Sequence, residues 1–161
     1  MTEIHPELLA FLFNINYEVV KQQTDGLSHE DSLLQLPFRG NCLNWVLGHL
    51  IISRDSILKV LEETEVWSEE IAAPYLREAD PITAENNNLA QPLENILTAF
   101  DLSHQRLMAA FERITPEDLA APKSERSSIG KWIAFLQFHE SYHVGQTELL
   151  RQLAGKNDKV I

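Results

Sequence analysis

Four stretches of this chain repeat their apolar side chains with a helical period, and no stretch alternates apolar and polar residues as a half-buried strand does. The first runs from about Pro6 to Gln23, with Leu9, Phe13, Ile15, Val19 and Val20 on one broad face. The second runs from about Asn41 to Glu63 and carries Val46, Leu50, Ile57 and Leu61 as a stripe. The third, from about Pro92 to Arg113, opens on a proline that suits a first helical position. Its Leu93, Leu97, Phe100, His104, Leu107 and Phe111 form an inward-facing seam. The fourth, from about Ser128 to Ala154, stops at Gly155, read as its C-terminal cap.

The connections decide how such helices are arranged. Residues 24–40 and 114–127 are short and broken by Gly, Pro and Ser. Residues 64–91 are longer, hold Pro74 and Pro81, and have room for a short helix around Ile71 to Leu76. An all-α fold follows: one domain over residues 1–161, a four-helix bundle with one long crossover between its second and third helices. Ser28-His29-Glu30-Asp31 precedes Trp45 by the same interval that separates Thr115-Pro116-Glu117-Asp118 from Trp132, a faint sign of two related helical hairpins.

Composition narrows function by exclusion. The 24 acidic and 13 basic side chains leave a net charge of −11, with no Lys/Arg cluster to attract a phosphate backbone, so nucleic acid is not an expected partner. The most apolar run, Trp45 to Ile52, is far shorter than the roughly 18 residues of a membrane span and contains His49. The opening M-T-E-I-H-P-E has neither the positive region nor the apolar run of a signal peptide. Cys42 is the single cysteine, which fits a reducing cytoplasm. At two helical turns from His49 it is read as a small buried thiol rather than a ligand.

Residues 139–146 read H-E-S-Y-H-V-G-Q and satisfy H-E-x-x-H, the metalloprotease pattern of two zinc ligands and a catalytic glutamate. On a wheel of 100° per residue, Trp132, Phe135, Leu136, His139, His143, Gln146, Leu150 and Leu153 share one arc, expected to face the bundle interior. Imidazoles four apart are neighbours one turn away from each other and can share an ion. Burying both without a partner is costly, and a common cation removes that cost. His49, on the flank of the second helix near Trp45, Ile52 and Ser53, can complete a three-histidine site whose remaining positions stay open. His104 competes for that place but is read first as a buried histidine with a local partner; His5 and His29 are read as solvated or capping. Proteolysis itself lacks support. Glu148 is the one glutamate that follows His143, on the same helix and facing elsewhere, and the metzincin continuation is absent because Gly145 comes one position early and Leu149 replaces the histidine.

NWVLGHL (44–50) followed by HESYHVGQ (139–146) resembles the DinB/YfiT-like superfamily, whose signatures are W-x-x-G-H-L on one helix and H-x-x-x-H-x-G-Q on a later one. The resemblance implies a four-helix bundle in 1-2-4-3 arrangement, frequently a homodimer. It also implies a divalent ion, nickel or zinc, held by His49, His139 and His143. Some members of that family are metal-dependent transferases or isomerases using thiols such as bacillithiol, mycothiol or glutathione. The expected function is therefore a metal-dependent, thiol-dependent S-transferase acting on small molecules, with Glu140, Gln146 or His104 as candidates for proton handling. A metal-dependent hydrolase and a non-catalytic, metal-stabilised stress-response protein are the alternatives.

Overall fold

A computed structural model describes residues 4–83 and 85–160, so only Met1, Thr2 and Glu3 of the segment read for a signal peptide lie outside the described residues. The structure is mostly helical. Four long helices carry it: α1 (Pro6–Thr24), α3 (Leu43–Val60), α5 (Leu93–Phe111) and α7 (Ile129–Leu153). Short helices α2 (His29–Ser32), α4 (Glu69–Ala72) and α6 (Pro116–Ala120) lie in the connections, with a small hairpin of β1 (Pro122–Ser124) and β2 (Ser127–Ser128) before α7. That hairpin departs from the expectation of a purely helical chain. It is a tight turn that ends at Ser128, whose side chain then accepts the Lys131 amide and starts α7.

The faint repeat has a physical basis. Ser28 and Asp31 form a capping box at the start of α2, and Thr115 and Asp118 form the same box at the start of α6. Each short helix precedes a long one. Gly155 takes the positive φ, +80°, expected of the residue that closes α7.

The long helices contact one another in four close pairs: α1 with α7, α7 with α3, α3 with α5, and α5 with α1. Phe13 stacks on Phe111 and Tyr17 on Phe100, so α1 and α5 are antiparallel. Asn16 bonds Ser141, and Arg151 bonds the Gln23 carbonyl, so α1 and α7 run the same way. Arg54 meets Ser103 where Asn44 meets Gln91, so α3 and α5 also run together. These pairs close a ring in the order first, fourth, second, third. The 1-2-4-3 arrangement would instead set the first helix beside the second. Two parallel neighbours joined in sequence need a connection that returns along them, and residues 61–92 make contacts consistent with that path. Asp55 near the end of α3 accepts the Val66 and Trp67 amides, whereas Tyr75 and Gln91 reach Asn44 at its start.

Helix α3 is the centre of the core, buried on nearly every side from Leu43 to Leu58. Side chains such as Leu50, Phe13 and Phe100 are wholly enclosed, and each such burial contributes about 1.5–3 kcal/mol. The inward face of α7 is only partly the expected one: Leu150 is buried and Trp132 and Leu136 pack against the core, as expected. Ile133, Glu140, Val144, Thr147 and Arg151 point inward, while Phe135 is exposed and His139 and His143 lie on a flank. Three of those inward residues are polar because each has an internal partner: Arg54 for Glu140, the Val144 carbonyl for Thr147, and the Gln23 carbonyl for Arg151. Among the described residues, no helix is long and apolar enough to cross a membrane.

Candidate metal centre

The α7 flank carrying His139 and His143 faces α3 at His49. The candidate nitrogens of the three imidazoles all lie within 4.8 Å of one another, and no other group of three His, Cys, Asp or Glu among the described residues gathers as they do. His49 is buried, while His139 and His143 keep partial exposure, so the cluster is open on the α7 side. Trp45 stacks on His49 at 4.5 Å with 11° between the planes, and Tyr142 meets His143 edge-on.

Bonds on the far side of two of the rings fix which nitrogen faces the cluster. His49 Nδ1 lies 2.8 Å from the Tyr75 carbonyl oxygen, which can only accept. Nδ1 therefore carries the proton, and Nε2 presents a lone pair to the cluster. His143 Nδ1 donates in the same manner to Gln146 Oε1, 2.7 Å away. Such outer partners orient metal-bound histidines generally.

His49 Nε2 and His139 Nε2 stand 3.3 Å apart. Two nitrogens each about 2 Å from one tetrahedral ion are separated by about 3.3 Å. His139 Nδ1 is buried with no partner, so its ring gains little from neutral hydrogen bonding alone. The donor set thus fits a divalent ion: three imidazoles, two of them locked with a lone pair inward.

Electrostatics agree. Burial pushes His49 down to about 4, against the opposing effect of its bond to Tyr75, and His143, His139 and Arg77 lower it further. Burial also lowers His139 and His143; His143 and Arg77 add to the effect on His139, Glu140 opposes it there, and the Gln146 bond opposes it at His143. Neutral imidazole is the form that binds a cation.

Gly48 shows why the preceding motif residue is small. A Cβ there would fall 2.1 Å from Tyr75 Cδ1 and 2.4 Å from its Cε1. The Tyr75 ring lies flat against α3 at that spot, its hydroxyl donating to Asn44 Oδ1 (2.9 Å) and accepting the Gln91 amide (2.7 Å). That lock delivers the Tyr75 carbonyl to His49. Sequence reasoning missed Asn44, Tyr75 and Gln91, because a backbone carbonyl in a connecting segment leaves no residue-type signal; the asparagine opening N-W-V-L-G-H was the one available clue.

The remaining candidates are placed elsewhere. Glu140 forms a bidentate ion pair with Arg54 at 2.8 and 2.9 Å, both side chains at most 1% exposed, so it is not a base facing the cluster. His104 stacks on Tyr17 at 3.9 Å and stays outside the three-histidine group. Cys42 is a buried thiol preceding α3, and burial raises its pKa. His29 accepts the Leu93 amide and so caps α5, and His5 precedes the first residue of α1.

Fold and site together define a helical protein with a three-histidine cluster between two helices. The model of the DinB superfamily matches residues 13–147, and the chain belongs to that superfamily. No curated protein matches the chain significantly.

Proposed function

We propose that the protein binds one divalent ion, zinc or nickel, through His49, His139 and His143. We infer further that it acts as a metal-dependent enzyme of the thiol S-transferase type on small molecules. The observation that carries this reading is the 3.3 Å approach of two imidazole nitrogens, one of them locked as a lone-pair donor by the Tyr75 carbonyl. A bound divalent ion supplies Lewis acidity that lowers the pKa of a thiol or water. The chain itself contributes orientation of two of the three rings, His49 through Tyr75 and Trp45 and His143 through Gln146, and an open side at His139 and His143 where a small molecule can approach. That open side favours catalysis over a purely structural ion, which would be closed by a fourth protein ligand. Engagement of Glu140 by Arg54 weighs against a zincin-type hydrolase.

In this reading the four long helices form the metal-binding bundle, residues 61–92 are its crossover, and 1–161 is one domain working in the cytoplasm without nucleic-acid or membrane partners. A homodimer is part of it. Phe11 and Ile15 on α1 and Phe135, Phe138, Tyr142 and Leu149 on the adjacent α7 are exposed, an apolar face of the kind that marks an interface. Gly145 lies on the same side of α7 with nothing within 4 Å of an added Cβ, leaving room for close approach. Elemental analysis of purified and zinc- or nickel-reconstituted protein tests the centre. About one ion per chain is expected, lost in His143→Ala, and a screen of small thiols against an electrophilic acceptor follows. Absence of stoichiometric metal from both preparations refutes the proposal.

A further inference from the structure

The three imidazoles are not held alike. His49 donates on its far side to the Tyr75 carbonyl at 2.8 Å and has Trp45 stacked on its face. His143 donates to Gln146 at 2.7 Å, and Trp45 and Tyr142 both stand edge-on to its ring. His139 has no such support. Its Nδ1 is buried without a hydrogen-bond partner, and the aromatic rings it meets among the described residues are the other two imidazoles, 5.1 and 4.6 Å away between centroids. The tautomers sharpen the difference. With Nδ1 of His49 committed to Tyr75, its Nε2 is an acceptor, so the 3.3 Å contact between the two Nε2 atoms puts a proton on His139 Nε2. Offering that nitrogen to a cation moves the proton to His139 Nδ1, which has no partner there. His49 and His143 bind in the tautomer they already hold, whereas His139 must change tautomer and then leave a buried N–H unpaired, which opposes its binding.

We propose that His139 is the exchangeable member of the centre: His49 and His143 anchor the ion, and His139 gives way to small molecules that present two donor atoms. This rests on the functional reading above and adds the class of ligand to it. Outer partners of metal-bound histidines are typically worth about 10- to 100-fold in affinity, and among the three rings His139 alone lacks one. Exposure points the same way. His139 and His143 are partly exposed where His49 is buried, so the ring that yields stands on the side from which a ligand arrives. The Glu140–Arg54 ion pair holds the α7 backbone beside it, so the ring moves about its own side-chain bonds while the helix stays in place. Any two positions on a tetrahedral ion are neighbours, so one left open by the chain and one vacated by His139 suit a two-donor ligand, such as a thiol with a second donor nearby.

Nitrogen-15 NMR of the imidazoles in the full chain provides the test, with zinc as the metal and acetohydroxamate as the two-donor probe. In metal-free protein His139 should show the Nε2–H tautomer and His49 and His143 the Nδ1–H tautomer. Zinc should switch His139 to Nδ1–H and leave the other two as they are. Acetohydroxamate should then return the His139 signals alone toward the metal-free pattern, while azide, a one-donor probe, leaves all three rings bound. Competition against a zinc indicator gives a second measure: His139→Ala should weaken zinc binding about tenfold less than His49→Ala or His143→Ala does. Equal losses in the three variants, or release of His49 or His143 by the probe in place of His139, overturn the assignment of His139 alone. Failure of zinc to bind the unmodified protein overturns the functional reading and this proposal with it.

Discussion

Replacing Gly48 by alanine probes the link between the bundle core and the cluster. In an ordinary helix the change would stabilise by about 1 kcal/mol, because glycine is the poorer helix former. Here the new Cβ would sit 2.1 Å from the Tyr75 ring, and ordinary contact begins at 3.4 Å, so the ring must retreat by more than an ångström. Tyr75 has no exposed surface and two hydrogen bonds through its hydroxyl, so overpacking should cost about 1–3 kcal/mol. The net effect is a loss of roughly 0–2 kcal/mol in urea or thermal unfolding. A second effect is larger in relative terms. Displacing Tyr75 breaks the 2.8 Å bond to His49 Nδ1, and losing such an outer partner typically lowers metal affinity about 10- to 100-fold. Competition against a zinc indicator measures it. In a Tyr75→Ala background the clash is gone, so Gly48→Ala should there raise stability. Zinc affinity within twofold of the parent in Gly48→Ala, or a destabilisation that persists in the Tyr75→Ala background, would refute the reasoning.

Three other outcomes are expected. Burial and the Arg54 charge bring His104 down to about 4 against the opposing pull of Asp101, so its neutral form is favoured in the fold. Its contribution is complete above the unfolded value near 6.5 and is lost as pH falls toward 4; His104→Leu should flatten unfolding stability over that window while leaving neutral-pH stability close to the parent. Phe138→Ser with Phe11→Ser should shift a homodimer toward monomer in sedimentation without lowering the melting temperature of the monomer, and unchanged sedimentation counts against the α1–α7 face as the seam. Glu140→Gln should cost about 3–5 kcal/mol of stability by stranding Arg54, whereas Arg54→Met with Glu140→Leu should fold about as stably as the parent yet bind zinc more weakly.

The long helices were legible because each is long and periodic; the four predicted segments overlap α1, α3, α5 and α7 to within about three residues at each end. The cluster was legible because two histidines one turn apart on α7, and a third after W-V-L-G, leave few other purposes for so much imidazole. The α5 seam of Leu93, Phe100, His104, Leu107 and Phe111 is buried as expected, and what failed was the direction of much of the α7 face and of Ile15 on α1. A wheel ranked by hydrophobicity turns Glu140, Thr147 and Arg151 outward, yet they face inward with partners supplied by α3, by α7's own backbone and by the end of α1. The same ranking turned Phe135 and Ile15 inward, although both are exposed on the apolar α1–α7 face. Partner identity across helices is long-range information, and a single-helix wheel does not contain it. The order of the ring was out of reach for the same reason.

The metalloprotease-like spacing therefore serves two unrelated demands on one turn of α7. His139 and Glu140 are successive residues, about 100° apart on the helix, so fixing one aims the other. Glu140 grips Arg54 with two short bonds in a fully enclosed setting, and Ser103 and the Phe100 ring, 3.9 Å from the guanidinium carbon, hold the far side. Rotating α7 by even a few tens of degrees would leave both charges buried and unpaired, which costs several kcal/mol. The rotation compatible with the ion pair is the one that sets His139 Nε2 3.3 Å from His49 Nε2, because Arg54 lies on α3 little more than a turn beyond His49. An apolar pair of similar volume would fill the space equally well but would tolerate a range of rotations. For that reason the charge-removed double variant should separate stability from metal affinity, with the glutamate of H-E-S-Y-H turned to Arg54 and not to the cluster.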